Sequence, residues 1–115
     1  MSRRYNIDKF LTENNDKEIS DTIIKHLGGL GKLDAMLGIK HVLYGRKSSN
    51  IHIKAKNSKK INLIVVRLQP NDEYTIEFYK GRGVNSKEVE TLKDIPASSL
   101  KSSVERVTGL KLSLR

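Results

Sequence analysis

Apolar residues recur at helical spacing in the first third of the chain. Ile19, Ile23 and Leu27 fall on one stripe, and a pair of glycines follows directly. Because glycine readily takes the left-handed conformation that ends helices, we expect a first helix that begins near residue 15 and stops at this pair. The apolar positions of residues 30–37 predict a second, shorter helix that ends at Gly38.

After Gly38 the spacing of apolar residues changes from helical to alternating. Runs rich in Ile, Val, Leu and Tyr predict strands over residues 40–44, 51–56, 61–68 and 74–79. The connections between these runs are short and have turn composition, which favours antiparallel neighbours. Residues 84–93 are polar, and they fit either a short extra strand or a segment that tucks under the fold.

The C-terminal part of the chain predicts one more helix. Leu100, Val104 and Val107 form its apolar stripe, and a glycine follows where a C-terminal cap belongs. Pro96 suits the first helical turn, and Asp94 is placed to cap that turn.

These elements predict an α+β fold. We expect an antiparallel meander sheet of three to four strands, with helices N-terminal to it and one helix C-terminal to it. At 115 residues the chain has the length of one domain, which we assign to residues 15–115. Residues 1–14 are interpreted as an N-terminal arm that is either flexible or loosely docked on that domain.

Composition narrows the class of protein. The chain has no cysteine, which excludes a disulfide scaffold, a thiolate zinc site and a cysteine nucleophile. It has no apolar run of about 18 residues, so we expect no membrane span. Its first residues lack the apolar core of a signal peptide. The expected location is the cytoplasm.

Positive charge is concentrated in residues 36–69. The whole chain has a formal net charge of +9, and these 34 residues carry eight lysines and arginines and no aspartate or glutamate. Charge of one sign concentrated in this way produces a long-range field, and the usual partner of such a field is a polyanion. We therefore expect nucleic acid as the partner, with DNA favoured over RNA.

The candidate binding residues centre on the predicted strand 51–56. Alternation puts His52, Lys54 and Lys56 on the face opposite the apolar set, and further cations occupy the two flanking turns. The segment 80–83 adds two cations beside glycines. The candidate nucleic-acid-binding residues are Arg46, Lys47, His52, Lys54, Lys56, Lys59, Lys60, Lys80 and Arg82.

A purely structural interpretation competes with binding at each of these places. Lysines along a strand also protect a solvated sheet edge from pairing with other chains. The segment 80–83 lacks the spacing of a phosphate-binding loop and is more typical of a bulge or turn.

Aromatic side chains bear on the kind of nucleic acid. Tyr74 and Phe78 share the parity of apolar neighbours and are predicted to lie in the core, and we expect Tyr44 there too. Tyr79 is expected to point outward. One or two exposed rings are too few for a base-stacking platform, so single-stranded and double-stranded partners both remain open.

Nothing in the sequence indicates catalysis. His26, His41 and His52 do not recur at metal-ligand spacing, and no nucleophile–base pair is suggested. We expect the protein not to be an enzyme, with no catalytic residues, no metal and no cofactor.

The order and spacing of several short motifs resemble a family of small uncharacterised proteins from bacteriophages and other mobile elements. The motifs are Leu27–Gly29, Ala35–Lys40, Tyr74–Phe78, Lys80–Gly83 and Val104–Leu114. Before the last helix this chain has Ile95–Ser98 where the family has an aromatic–alanine–acid stretch. The resemblance spans roughly residues 27–114 and implies a phage or mobile-element setting in a bacterial cell. It brings no established activity and no functional residues.

Three functional hypotheses follow. The first is a small nucleic-acid-binding protein of phage or mobile-element type that contacts phosphates through a basic β-hairpin. The second is a phage-encoded protein that binds a host protein and inhibits or redirects it. The third is a virion-associated protein whose charge packs against DNA. The sequence leaves the oligomeric state open.

Overall fold

The computed structural model describes residues 16–54, 59–81 and 83–109. Within these ranges the chain forms three α-helices and a five-stranded antiparallel sheet. The helices are α1 (residues 16–26), α2 (Leu30–Leu37) and α3 (Leu100–Thr108). The strands are β1 (Ile39–Gly45), β2 (Ser48–Ile53), β3 (Ile61–Leu68), β4 (Tyr74–Lys80) and β5 (Lys87–Ile95). Short 3₁₀ helices cover Gly83–Asn85 and Ala97–Ser99.

The sheet is a simple meander with the strand order β1-β2-β3-β4-β5. Each strand pairs antiparallel with the next, so successive strands enter and leave at alternate ends of the sheet. The cross-strand partners Ile39 and Ile53, Ile61 and Lys80, and Lys80 and Lys87 therefore define one end. The starts of β1, β3 and β5 and the finishes of β2 and β4 meet there.

One face of the sheet packs against the helices. The buried core joins apolar side chains of alternate strand positions to the apolar stripes of all three described helices. The fully buried members on the strands include Ile51, Ile64, Val66, Ile76 and Phe78. Those on the helices include Ile23, Leu33, Leu37 and Leu100, and Leu27 follows directly after α1. Side chains of the other parity point away from this core, because successive residues of a strand face opposite sides of the sheet.

The existence of the predicted helices and their C-terminal ends are confirmed, but the last helix begins at Leu100 and not at Pro96. Gly28, Gly38 and Gly109 each have a positive φ at the helix ends where glycine was expected. The amide of Gly38 donates to the carbonyl of Asp34, and the amide of Gly109 donates to that of Glu105. The α+β class and the antiparallel meander are also confirmed.

The predicted sheet of three to four strands is one strand too small, because β5 completes it. Val89 and Leu92 of this strand are partly buried against the core. Most other β5 side chains are polar, since β5 is an edge strand that pairs only with β4 among the described strands. An edge strand of this kind gives little alternation for a sequence pattern to detect.

β2 begins three residues before the predicted start. Ser48 and Ser49 had been assigned to a turn, but both are buried and pair with Arg67 and Val66 of β3. The connection between β1 and β2 is therefore only Arg46 and Lys47. The described part of β2 ends at Ile53, and residues 55–56 of the predicted strand lie outside the described residues.

The predicted capping of α3 by Asp94 is wrong. The Asp94 amide donates to Oε1 of Gln69 at 2.9 Å, and its Oδ1 accepts from Nε2 of the same side chain at 2.8 Å. This exchange ties the finish of β5 to the β3–β4 connection. α3 is entered through the 3₁₀ helix Ala97–Ser99, which Pro96 precedes, and it has no side-chain cap.

The aromatic predictions are met in part. Tyr74 and Phe78 lie in the core as expected, with exposed fractions of 5% and 0%. Tyr44, expected in the core, is 51% exposed, because it lies on the edge strand β1. Tyr79 is half-buried, and its hydroxyl donates to Glu77.

Two further expectations concern the ends of the chain and the membrane. The predicted N-terminal arm, residues 1–14, lies outside the described residues. None of the helices in the described ranges is long and apolar enough to cross a membrane.

Candidate nucleic-acid interface

Six exposed lysines lie at the end of the sheet where β1, β3 and β5 begin. Every strand contributes at least one of them, either from its terminal residues or from the chain just outside it. We call this group the basic end; it consists of Lys40, Lys54, Lys59, Lys60, Lys80 and Lys87. Neighbouring strands are about 4.8 Å apart, so the row extends about 19 Å across five strands.

The chain at the β2 finish is held by backbone contacts. The amide of Lys54 donates to the carbonyls of Leu37 and Gly38 at 3.2 and 2.7 Å. These bonds fasten the finish of β2 to the C-terminus of α2. Lys60 has a φ of 59°, which turns the chain into β3. The side chains of Lys54 and Lys60 remain exposed to solvent.

Two lysines of the basic end are direct cross-strand partners. Lys80 at the finish of β4 lies opposite Lys87 at the start of β5. Like charges placed directly opposite each other on an antiparallel pair destabilise the sheet. This arrangement is therefore unfavourable for the isolated protein, and a bound anion would relieve it.

Carboxylates neutralise little of the basic end. Lys59 is 3.6 Å from Glu90, which also lies 4.0 Å from Arg106 of α3. The other five lysines have no carboxylate within 4.0 Å among the described residues. By contrast, Arg67, which lies within the acid-free residues 36–69, forms an ion pair with Glu77 at 3.2 Å, so its charge is already balanced.

Arg46 and Lys47, both predicted site residues, lie at the opposite end of β2. The six residues of β2 lie between Lys47 and Lys54, whose Cα atoms are therefore about 23 Å apart. The Lys47 amide donates to the carboxylate of Asp16 at 3.0 Å. Acidic residues of the β3–β4 connection and Asp94 occupy the same end, so the charge there is mixed.

His52 lies on the sheet face away from the helices, beside His41. The two imidazole ring centroids are 4.3 Å apart, because these residues are cross-strand partners on β1 and β2. Burial, and then the charges of His41 and Lys40, lower the pKa of His52 below its ordinary value of 6.5. The imidazole of His52 is therefore neutral at physiological pH and gains a proton only in more acidic solution or beside an anion.

A cleft of about 310 Å³ opens next to the basic end. Lys40 and His52 come from β1 and β2, Asn62 and Leu63 from β3, and Ser86 from the β4–β5 connection. Two glycines of that connection, Gly81 and Gly83, complete the lining together with Ile53.

The β4–β5 connection is shaped by close backbone packing. Gly81 has a φ of 86°, and a Cβ atom there would lie 2.3 Å from the carbonyl oxygen of Asn85. Only glycine therefore fits this position without moving the loop. Nδ2 of Asn62 donates to the Gly81 carbonyl at 2.8 Å, which fixes the loop against the start of β3.

The structure thus brings together Lys54, Lys59, Lys60 and Lys80 of the predicted site, with His52 beside them. Lys56 and Arg82 lie outside the described residues. Lys40, Lys87, Asn62 and Ser86 are not among the predicted site residues. In an antiparallel meander, the starts of the odd-numbered strands lie at the same end of the sheet as the finishes of the even-numbered strands. This rule places Lys40 and Lys87 at the basic end once β5 is recognised as a strand.

Within the described ranges, no group of three or more His, Cys, Asp or Glu side chains is placed to hold a metal ion. The arrangement instead offers exposed ammonium groups and a cleft lined by hydrogen-bond donors. Comparisons with protein-family models, with curated proteins and with solved structures give no match.

Proposed function

We propose that this protein binds nucleic acid through its basic end. The observation that carries the proposal is the row of six exposed lysines, one or two from each strand, of which five have no carboxylate partner among the described residues. Lysines that contact phosphates release condensed counterions, and this release drives binding without regard to base sequence. The proposed setting is a phage or mobile element in a bacterial cell.

The dimensions of the basic end suit a phosphate backbone. Phosphates of one strand of duplex DNA follow each other every 3.4 Å or so along the helix axis, so a row of about 19 Å faces about five of them. Five lysines without carboxylate partners match that number.

Edge protection does not account for four of the six lysines. Lysines that prevent pairing with other chains are needed along the edge strands. Lys54, Lys59, Lys60 and Lys80 instead lie at the ends of the inner strands β2, β3 and β4. The Lys80–Lys87 pair also works against sheet stability, which favours a role in binding over a role in folding.

A charge-matched pair of variants tests the proposal. The first carries Lys54→Glu, Lys60→Glu and Lys80→Glu at the basic end. The second carries Lys17→Glu, Arg46→Glu and Lys93→Glu, all exposed and away from the basic end, with the same change in net charge. Affinity for an oligonucleotide is measured against salt concentration.

We expect the basic-end variant to lose measurable binding and the control to keep most of its affinity. The proposal is wrong if the wild-type protein binds neither DNA nor RNA at low salt, or if the two variants behave alike. In that case, co-purification from nuclease-treated lysate tests for an acidic protein partner. A protein held through a nucleic-acid bridge would be lost after nuclease treatment, whereas a direct protein partner would remain bound.

A further inference from the structure

The cleft beside the basic end has the chemistry of an anion site. None of the described residues that line it is acidic. Its potential donors are the ammonium group of Lys40, the imidazole of His52 and the hydroxyl of Ser86. The two glycines have no side chains, so a ligand can approach the loop backbone directly.

The size of the cleft exceeds what a bare phosphate requires. Its volume of about 310 Å³ lies at the lower limit of clefts that hold small organic ligands, about 300–1,000 Å³. Leu63 and Ile53 add apolar lining beside the polar groups. A ligand that fills this space therefore carries an anionic group and also a larger, partly apolar part.

We propose that the cleft receives one unpaired nucleotide, with its phosphate near Lys40 and His52 and its sugar or base between Leu63 and the β4–β5 connection. This inference rests on the proposed function and extends it, because it specifies which form of nucleic acid the protein selects. A paired and stacked base cannot leave a duplex without a cost in free energy, whereas a single strand or a strand end presents its nucleotides freely. The lysines of the basic end then hold the phosphates of the neighbouring nucleotides.

Two measurements test this site. In the first, ¹⁵N-labelled protein is titrated with thymidine 5′-monophosphate and, separately, with inorganic phosphate at the same ionic strength. In the second, Ser86→Phe fills the cleft without changing the charge, and Ser98→Phe is the control, since Ser98 is also exposed but lies near the other end of the sheet. Both variants are tested with single-stranded and duplex oligonucleotides that lack terminal phosphates.

We expect the nucleotide to shift the amide signals of Leu63, Gly81 and Ser86 and inorganic phosphate to shift them less. Ser86→Phe should lower single-strand affinity about tenfold and change duplex affinity by no more than about twofold. Ser98→Phe should change neither.

Three outcomes separate this inference from the proposed function. If wild-type protein binds oligonucleotides but the nucleotide leaves these amides unmoved, or Ser86→Phe weakens single strand and duplex equally, the cleft inference is overturned and the proposed function stands. If the nucleotide shifts the cleft amides while neither polymer binds, the cleft site stands and the proposed function is overturned. If neither the nucleotide nor a polymer binds, both are wrong.

Discussion

The opposed pair Lys80 and Lys87 predicts that one substitution will stabilise the fold and weaken binding. Lys87→Glu converts a repulsive cross-strand pair into an attractive one. Each such pair contributes about 0.2–1 kcal/mol, and exposed pairs fall toward the lower limit. Loss of repulsion and gain of attraction together should raise the free energy of unfolding by about 0.5–1 kcal/mol, which is about 2–5 °C in Tm.

The same substitution removes one phosphate contact from the basic end. Five lysines without carboxylate partners predict a slope of log affinity against log salt of about −3.5 for a single strand and about −4.5 for a duplex. Lys87→Glu should reduce the single-strand slope to about −2.8 or shallower, since the new carboxylate also repels the phosphates. Affinity and stability thus change in opposite directions.

Urea unfolding followed by circular dichroism measures the stability, and salt-titrated binding measures the affinity. The control is Lys93→Glu, an exposed lysine on the same strand that has no lysine partner in the register. The stability gain of Lys87→Glu should disappear in about 1 M salt, where the Debye length is only about 3 Å. A loss of stability in Lys87→Glu at low salt would refute this prediction, and so would a Lys93→Glu variant that weakens binding as much as Lys87→Glu does.

Two further predictions concern the β2 strand. Burial and the charges of His41 and Lys40 hold the pKa of His52 below its ordinary value of 6.5. A bound phosphate favours the protonated form of this side chain, so oligonucleotide affinity should rise as the pH falls below 6.5. Binding measured across this range should show the salt slope steepen by about 0.7, and His52→Gln should abolish that change. The buried hydroxyl of Ser49 has no hydrogen-bond partner among the described residues, so Ser49→Ala should raise the free energy of unfolding in urea by about 1 kcal/mol. A loss of stability would show that this hydroxyl is paired.

The sequence predicted correctly those elements that are marked by residues close together along the chain. The strand Ile61–Leu68 was predicted with its observed bounds, because a near-continuous run of apolar β-branched residues marks a central strand. The helix ends were found because glycines mark them. Ser48 and Ser49 were missed, because only their pairing with β3 buries them. β5 was left undecided for the same reason.

The candidate site likewise has features that neighbouring residues reveal and features that depend on strand pairing. The sequence pattern predicted the concentration of positive charge and most of the lysines, since composition alone reveals a region without acids. It grouped Arg46 and Lys47 with Lys54, although the length of β2 separates them. It did not select Lys87, whose place opposite Lys80 depends on a strand pairing that is not local. The cleft likewise depends on bringing β1, β2, β3 and the β4–β5 connection together.

The most direct test of the central claim is to map where an oligonucleotide binds. Amide shifts of ¹⁵N-labelled protein are followed during titration with a single-stranded oligonucleotide at low salt. We expect the largest shifts at the basic end and the cleft, on Lys40, Lys54, Lys59, Lys60, Ser86 and Lys87. Shifts centred on Arg46 and Lys47, or on α3, would contradict the account, and so would an absence of binding.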